Sequence, residues 1–255
     1  MKRFQGAISQ EYDFVPQAVP SYFELQDRLA SRIAAQYSHP VVVDIGLGTG
    51  ITSQAIIAKN PGCVVRGVDS ERSMTDQARS NLELDVARGA IEIHESDALD
   101  YLGTLPDASV DVVASAYTMH NCLKSYRVLV EAEMLRVLVP GGMFINNDKY
   151  AVDDRSEYLR ELTDQIIRYD VLREVGRDHL RRIWIEHEVE DQLPERIMWT
   201  REALDQLRSI GFEGVSLVER IGQYAIMTAY KPRPDGRSTG ASEEGAKAVG
   251  TDPVT

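Results

Sequence analysis

The sequence predicts an α/β domain built on a seven-stranded, mostly parallel sheet, with an antiparallel closing hairpin and a helical insertion after the fifth strand. Three observations carry that prediction. From Pro40 onward, β-branched apolar runs alternate with segments of helical period. A glycine-rich turn stands directly between the first such run and the first helical segment. The last two runs are separated only by a short turn at Gly222, which reads as a hairpin. With 255 residues and an ordinary apolar fraction, the chain fits one such domain with a helical elaboration rather than two domains.

The elements follow in order. Val41 to Ile45 forms the first strand, and after the glycine turn comes a helix through Ile56 and Ile57, stopped at Asn60, Pro61 and Gly62. Val64 to Val68 is the second strand, ending at Asp69, and Ser73 with Asp76 three residues on marks the start of the next helix. Ile91 to His94 and Val110 to Ala116 are the third and fourth strands, both expected at the centre of the sheet. A helix from about Leu123 to Leu138 places Tyr126, Val130, Met134 and Val137 on one face. Pro140, Gly141 and Gly142 should end it before a fifth strand at Met143 to Ile145.

From Asp153 to about Asp191 the pattern turns helical, with Tyr158, Leu162, Ile166 and Tyr169 at helical spacing. The insertion, residues 151–199, has a plain reading as a layer over the core. Its functional reading is a lid over a substrate pocket or the contact of a homodimer. A helix from Arg201 to Ser209, a turn at Gly211 and strands Val215 to Arg220 and Tyr224 to Tyr230 complete a domain over residues 40–231. Residues 1–39 read as a helical cap segment, and residues 232–255, rich in Gly, Ser, Pro, Ala and charge, as a disordered tail.

Composition narrows the partners. A formal charge of −12 repels polyanions, which points to a small-molecule substrate and argues against nucleic acid except through a local basic patch. Met1 to Phe14 mixes charged and polar residues and lacks a secretory apolar region, and no later stretch suits a bilayer, so no membrane association is expected. Cys63 and Cys122 stand far apart without neighbours at metal-ligand spacing. They predict reduced thiols, a cytoplasmic setting, and neither zinc nor a disulfide.

The chemistry centres on Asp44-Ile45-Gly46-Leu47-Gly48-Thr49-Gly50. Glycines between a strand and a helix let the backbone turn tightly and approach a ligand, while a helix amino terminus offers N–H donors. A dinucleotide fingerprint would need its third glycine at position 51, where Ile51 stands, so a nicotinamide or flavin is disfavoured. The alternate glycines, two residues after an acid, resemble motif I of class I S-adenosylmethionine (SAM) dependent methyltransferases.

Further segments extend the resemblance. Asp69, followed by Ser70, ends the second strand where a carboxylate can accept both ribose hydroxyls of an adenosine. Ser96-Asp97-Ala98 resembles the family's adenine-binding segment, and Val112 to Asn121 its fourth motif, with Ala116 and Tyr117 flanking SAM. Leu138 to Phe144 resembles the family's entry to strand five. The resemblance implies a Rossmann-like class I methyltransferase fold, SAM as cofactor, and contacts from Asp44, Gly46, Leu47, Gly48, Asp69, Ser70, Asp97, Ala98, Ala116 and Tyr117.

Both ends of the domain also resemble the carboxy-SAM synthases of tRNA wobble-uridine modification. Val19-Pro20-Ser21-Tyr22 lies where that family has an aromatic SAM-contacting segment, which adds Tyr22 to the implied contacts, and the insertion is of similar length and helical character. One position departs. The Arg with which that family holds an extra carboxylate falls on Gln206, with Arg201 and Arg208 out of register.

Methyl transfer from an activated sulfonium needs alignment first, and a base only where the nucleophile must lose a proton. His120, just past the fourth strand, is the first candidate base, followed by Asp148, Lys149 and Tyr150 past the fifth. The plain alternative for His120 is a structural histidine hydrogen-bonded at the strand end. Three functions stay open: methyl transfer to an O, N or C nucleophile of a small molecule, a SAM-using reaction of carboxy-SAM synthase type, and a catalytically silent SAM-binding subunit. Ala114-Ser115-Ala116-Tyr117 is not an Asn/Asp-Pro-Pro-Tyr segment, which gives base amino methylation no local support.

Overall fold

A computed structural model describes residues 11–234. The expected tail from residue 235 and the first ten residues lie outside the described residues. Seven strands form one sheet: β1 (Val41–Ile45), β2 (Val64–Asp69), β3 (Ile91–Glu95), β4 (Val110–Ala116), β5 (Leu138–Lys149), β6 (Glu213–Ile221) and β7 (Tyr224–Tyr230). Their order is β3-β2-β1-β4-β5-β7-β6, so β4 is central as expected but β3, expected at the centre, is an edge strand paired with β2. β1 to β5 are parallel, and β7 enters antiparallel between β5 and β6. The direction of winding reverses between β1 and β4, so the carboxyl ends of those strands splay apart and leave a crevice, the usual ligand position in such sheets.

Period-two alternation explains how the sheet carries two cores. Val42 pairs with Val65 and Val112 in register, and these face Leu25, Leu29 and Ile33 of α1 (Tyr22–Gln36) and Ile56 of α2 (Ile51–Lys59). Val43 and Val113 point the other way, toward Met134 and Val137 of α6 (Lys124–Val137) and Leu207 of α10 (Thr200–Ile210). Full burial of such aliphatic side chains contributes about 1.5–3 kcal/mol each before entropy, so the stripe Leu25, Leu29, Ile33 is enough to seat α1 on the sheet.

Between β2 and β4 lie α3 (Arg72–Asn81), α4 (Glu83–Ala87) and α5 (Ala98–Thr104); the last two have too few residues to show a helical period. Several boundaries differ from expectation, among them a longer β5, and two of the differences have a local cause. Ser73 does not cap α3: the helix already begins at Arg72, because Asp69 Oδ1 accepts the Glu71 N–H at 2.9 Å and bends the chain there. Helix α6 ends at Val137 and not at the Pro140-Gly141-Gly142 stop, since Leu138 is extended (φ −63°, ψ 139°) and opens β5 by pairing with Val110.

The insertion is three helices, α7 (Arg155–Arg168), α8 (Asp170–Glu174) and α9 (Asp178–Asp191). Tyr158 and Tyr169 of its apolar stripe are buried, and Tyr169, Leu172 and Trp184 join the core beneath α1. Gln165 Nε2 donates to Ala18 O at 3.0 Å, and Glu11 pairs with both Arg177 and His179. The amino-terminal segment and the insertion thus pack as one layer over the carboxyl end of the sheet. No helix among the described residues is long and apolar enough to cross a membrane.

Candidate functional site

A cavity of about 360 Å³ opens in the crevice between β1 and β4. The glycine loop forms its floor. Gly46 N–H and Leu47 N–H both donate to Val68 O, at 2.8 and 3.0 Å, and Gly48 N–H donates to Asp69 Oδ2 at 2.8 Å. The end of β2 takes these three donors, which makes the loop rigid. Gly46 and Gly48 both have positive φ, 75° and 57°. A Cβ on Gly46 would run into the side chain of Thr118, whereas one on Gly48 would meet only Gly46 O, in ordinary contact at 3.9 Å. That open cradle beside a strand-end carboxylate is what an amino-acid-bearing nucleoside requires.

The cavity gathers most of the residues expected from sequence. Tyr22, Gly46, Leu47, Gly48, Asp69, Ser70, Asp97, Ala98, Ala116 and Tyr117 all line it. Asp69 is held at both oxygens by backbone N–H groups, and burial raises its carboxyl above the usual range against the pull of those bonds. Asp97 caps α5: its Oδ1 accepts from Leu99 N at 2.9 Å and also from Tyr126 Oη at 2.6 Å. Tyr117 sits at φ 52°, a left-handed conformation uncommon for a bulky residue, pinned by its N–H donating to Asn147 O at 2.8 Å. The turn brings its ring onto that of Tyr22, 4.7 Å away and 16° from parallel.

Asp44 requires a correction. It is fully buried, lies beneath the cavity wall rather than in it, and accepts from Ser53 Oγ of α2 at 2.6 Å. Burial pushes its carboxyl up to about 6, opposed by the Ser53 bond and helped by Asp69. Its place is under the loop, tying β1 to α2.

His120 lines a separate, small cavity with Lys149 and Asp191, and Arg196 borders both spaces. Its Nδ1 is 2.5 Å from Asp148 Oδ1, and its Nε2 is 3.7 Å from Asp191 Oδ2. Burial raises the Asp148 carboxyl, but His120 and the Lys149 backbone N–H outweigh it and hold the group below the usual carboxylate range. Lys149 Nζ bonds Glu188 and Asp191 at 2.7 and 2.8 Å; although burial disfavours its charge, these two carboxylates raise it well above an ordinary lysine. Tyr150 is buried and accepts from Asn146 Nδ2 at 2.9 Å. None of the four candidate bases lines the cavity that holds the expected cofactor contacts.

His120, His187 and Asp191 bring ligand atoms within 4.8 Å of one another. Lys149 already engages Asp191, and His187 Nε2 meets Asn121 Oδ1 at 3.0 Å, so the cluster is knitted by its own contacts. Sequence reasoning missed it because its members come from just past β4 and from α9, far apart in the chain. It also missed Gln26, Tyr126 and Arg196, which line the cavity from α1, α6 and the segment after α9. Gln26 could have been found as the polar interruption of α1's buried stripe; Tyr126 and Arg196 carry no local signal.

Residues 43–146 match the family model described as a methyltransferase domain. Among curated proteins, the chain is similar to the carboxy-S-adenosyl-L-methionine synthase of Pseudomonas savastanoi pv. phaseolicola, 27% identical over 154 residues, covering 57% of this chain and 60% of that protein. It is similar also to the protein of that name from Photobacterium profundum, 23% identical over 149 residues, covering 57% and 59%. The match thus spans about 60% of the length of these relatives. Among solved structures, a SAM-dependent methyltransferase from Aquifex aeolicus aligns with TM-score 0.57 at 18% identity, over 86% of this chain and 97% of that one. The methyltransferase SibL aligns with TM-score 0.60 at 18% identity, over 84% and 56%. The cyclase SpnF shares the fold as well, with TM-score 0.57 at 17% identity, over 81% of each chain. With its strand order, its mixed closing hairpin and the domain match over residues 43–146, the chain has the fold of class I SAM-dependent methyltransferases, and these similarities indicate SAM as its cofactor or substrate.

Proposed function

We propose that the protein transfers a methyl group from SAM to an O, N or C nucleophile of a small-molecule acceptor. The single observation that carries this reading is that the glycine loop, Asp69, Asp97 and the Tyr22–Tyr117 stack meet around one cavity at the carboxyl end of the sheet. Bound SAM would supply an activated methyl group on a sulfonium, with the neutral sulfide as leaving group.

The chain's own residues would then bind, orient and exclude water. Asp69 and Ser70 suit the ribose, Asp97 and the Ala98 N–H the adenine, and Gly46 to Gly48 the amino-acid end. Tyr22 and Tyr117 form an aromatic wall that keeps water from the reacting carbon. Because His120, Asp148, Lys149 and Tyr150 lie off this cavity, rate enhancement through alignment is favoured over proton abstraction by any of them. The acidic charge of the chain supports a small molecule over a polyanion. Leu159, Ile167 and Val189 of the insertion face solvent, which supports a homodimer through that layer.

A second reading has its own support: the curated relatives named above are carboxy-SAM synthases. Mass spectrometry of the nucleoside carried through purification separates the two. Methyl transfer predicts SAM or S-adenosylhomocysteine; a carboxylated sulfonium would replace it with the second activity.

A further inference from the structure

The side chain that fixes the Asp97 carboxylate in the cavity wall comes from an element that sequence reasoning assigned only to the core. Tyr126 stands in the first turn of α6, and its hydroxyl reaches across the cavity wall to α5. There it donates to Asp97 Oδ1 at 2.6 Å and accepts from Leu99 N–H at 3.3 Å, so both its proton and its lone pair are directed. Oδ1 also accepts from Leu99 N at 2.9 Å and, at 3.5 Å, from Asp100 N. Among the described residues, every hydrogen bond to the Asp97 carboxylate falls on Oδ1.

Asp97 is otherwise an exposed residue at the start of a short helix, and an exposed carboxylate of that kind is free to rotate. With Oδ1 saturated by two backbone N–H groups and a phenol, rotation would break three bonds, and Oδ2 alone is left to meet an incoming donor. Burial, and then the bond to Asp97, push the Tyr126 phenol well above its ordinary range, so it remains a donor throughout the physiological interval.

We propose that Tyr126 is a positioning residue for nucleobase selection, locking Asp97 so that Oδ2 is presented to a 6-amino purine and opposed to a 6-keto purine. This assignment rests on the cofactor reading given above. A 6-amino group offers an N–H to Oδ2, whereas a 6-keto oxygen brings an acceptor against an acceptor. Selectivity of this kind depends on the carboxylate being unable to turn away.

The test compares S-adenosylhomocysteine with its 6-keto counterpart, S-inosylhomocysteine, by titration calorimetry on the full chain. Wild type should prefer the adenosine compound by at least about thirtyfold, and Tyr126→Phe, which keeps the ring and its packing, should lose about tenfold of that preference. In an Asp97→Asn background, where the side-chain oxygen still caps α5, adding Tyr126→Phe should change the ratio no further. A Tyr126→Phe protein that keeps the full wild-type ratio overturns the assignment, and so does a double variant whose ratio falls beyond that of Asp97→Asn alone. A wild type that binds neither compound overturns the cofactor reading itself, and this assignment with it.

Discussion

The rings of Tyr22 and Tyr117 stack 4.7 Å apart, joining the amino-terminal helix to the end of β4 across the mouth of the cavity. One ring belongs to α1 and the other to a residue held at positive φ, so the contact couples the cap segment to the sheet. Tyr117 also meets Tyr224 of β7 edge-on at 5.6 Å, which extends the wall to the closing hairpin. Aromatic pairs contribute about 0.5–1.5 kcal/mol beyond their buried area. Tyr22→Ala should therefore weaken SAM about tenfold by calorimetry, whereas Tyr22→Phe, which preserves the stack, should stay within about threefold of wild type.

The two loop glycines should respond differently to the same substitution. Gly46→Ala forces a Cβ into Thr118 and should lower the melting temperature sharply as well as abolish SAM binding. Gly48→Ala makes only an ordinary contact with Gly46 O, so it carries only the left-handed backbone cost of roughly 1–2 kcal/mol, while its methyl enters the ligand's space. It should unfold only a few degrees early yet fail to bind SAM. Differential scanning fluorimetry with and without ligand reads both effects.

Glu131 on α6 gives a pH signature. Burial pushes its carboxyl up to about 7, against the opposing influence of Gln206 and Arg127. Since the folded value lies above the unfolded one, the folded state holds the extra proton between about pH 4.5 and 7. This group's contribution is fully present below that window and is lost as pH rises through it, by about 3 kcal/mol at 1.36 kcal/mol per unit. Glu131→Gln should flatten the wild-type decline in stability across that interval, measured by urea unfolding at successive pH values.

Lys149 is the hub between β5 and the insertion. Replacing it with Met leaves Glu188 and Asp191 facing each other in a buried setting, and the loss of one partner in such a cluster costs about 3–5 kcal/mol. Lys149→Met should melt well below wild type, whereas Lys149→Arg, which keeps a cation between the two carboxylates, should recover part of the difference. Equal losses in both variants would show that packing, and not charge, sets the effect.

The fold was legible because its signals are local. Val41–Ile45, Val110–Ala116 and Tyr224–Tyr230 announce themselves by β-branched runs and glycine punctuation, and the structure forms all three over those same residues. The cavity lining was partly legible for the same reason: Gly46, Gly48, Asp69 and Asp97 stand at or just past strand ends that parallel winding brings to one side of the sheet. Asp44 was misread because a strand's alternation says which face a side chain takes, not whether that face is cavity or core. Tyr126, Arg196 and the Lys149–Glu188–Asp191 cluster were invisible for a different reason. Their partners lie far away in sequence, and only the packing of α6 and the insertion against the sheet brings them within bonding distance.

Titration of SAM into the full-length protein, beside Asp69→Ala, tests the central claim most directly. A cavity built by the loop, Asp69 and Asp97 predicts one SAM bound per chain and at least a tenfold loss in the variant, through loss of the proposed ribose contact and release of the Gly48 N–H. A wild type that yields no binding heat and no ligand-dependent rise in melting temperature, or an Asp69→Ala protein that binds as tightly as wild type, would contradict it.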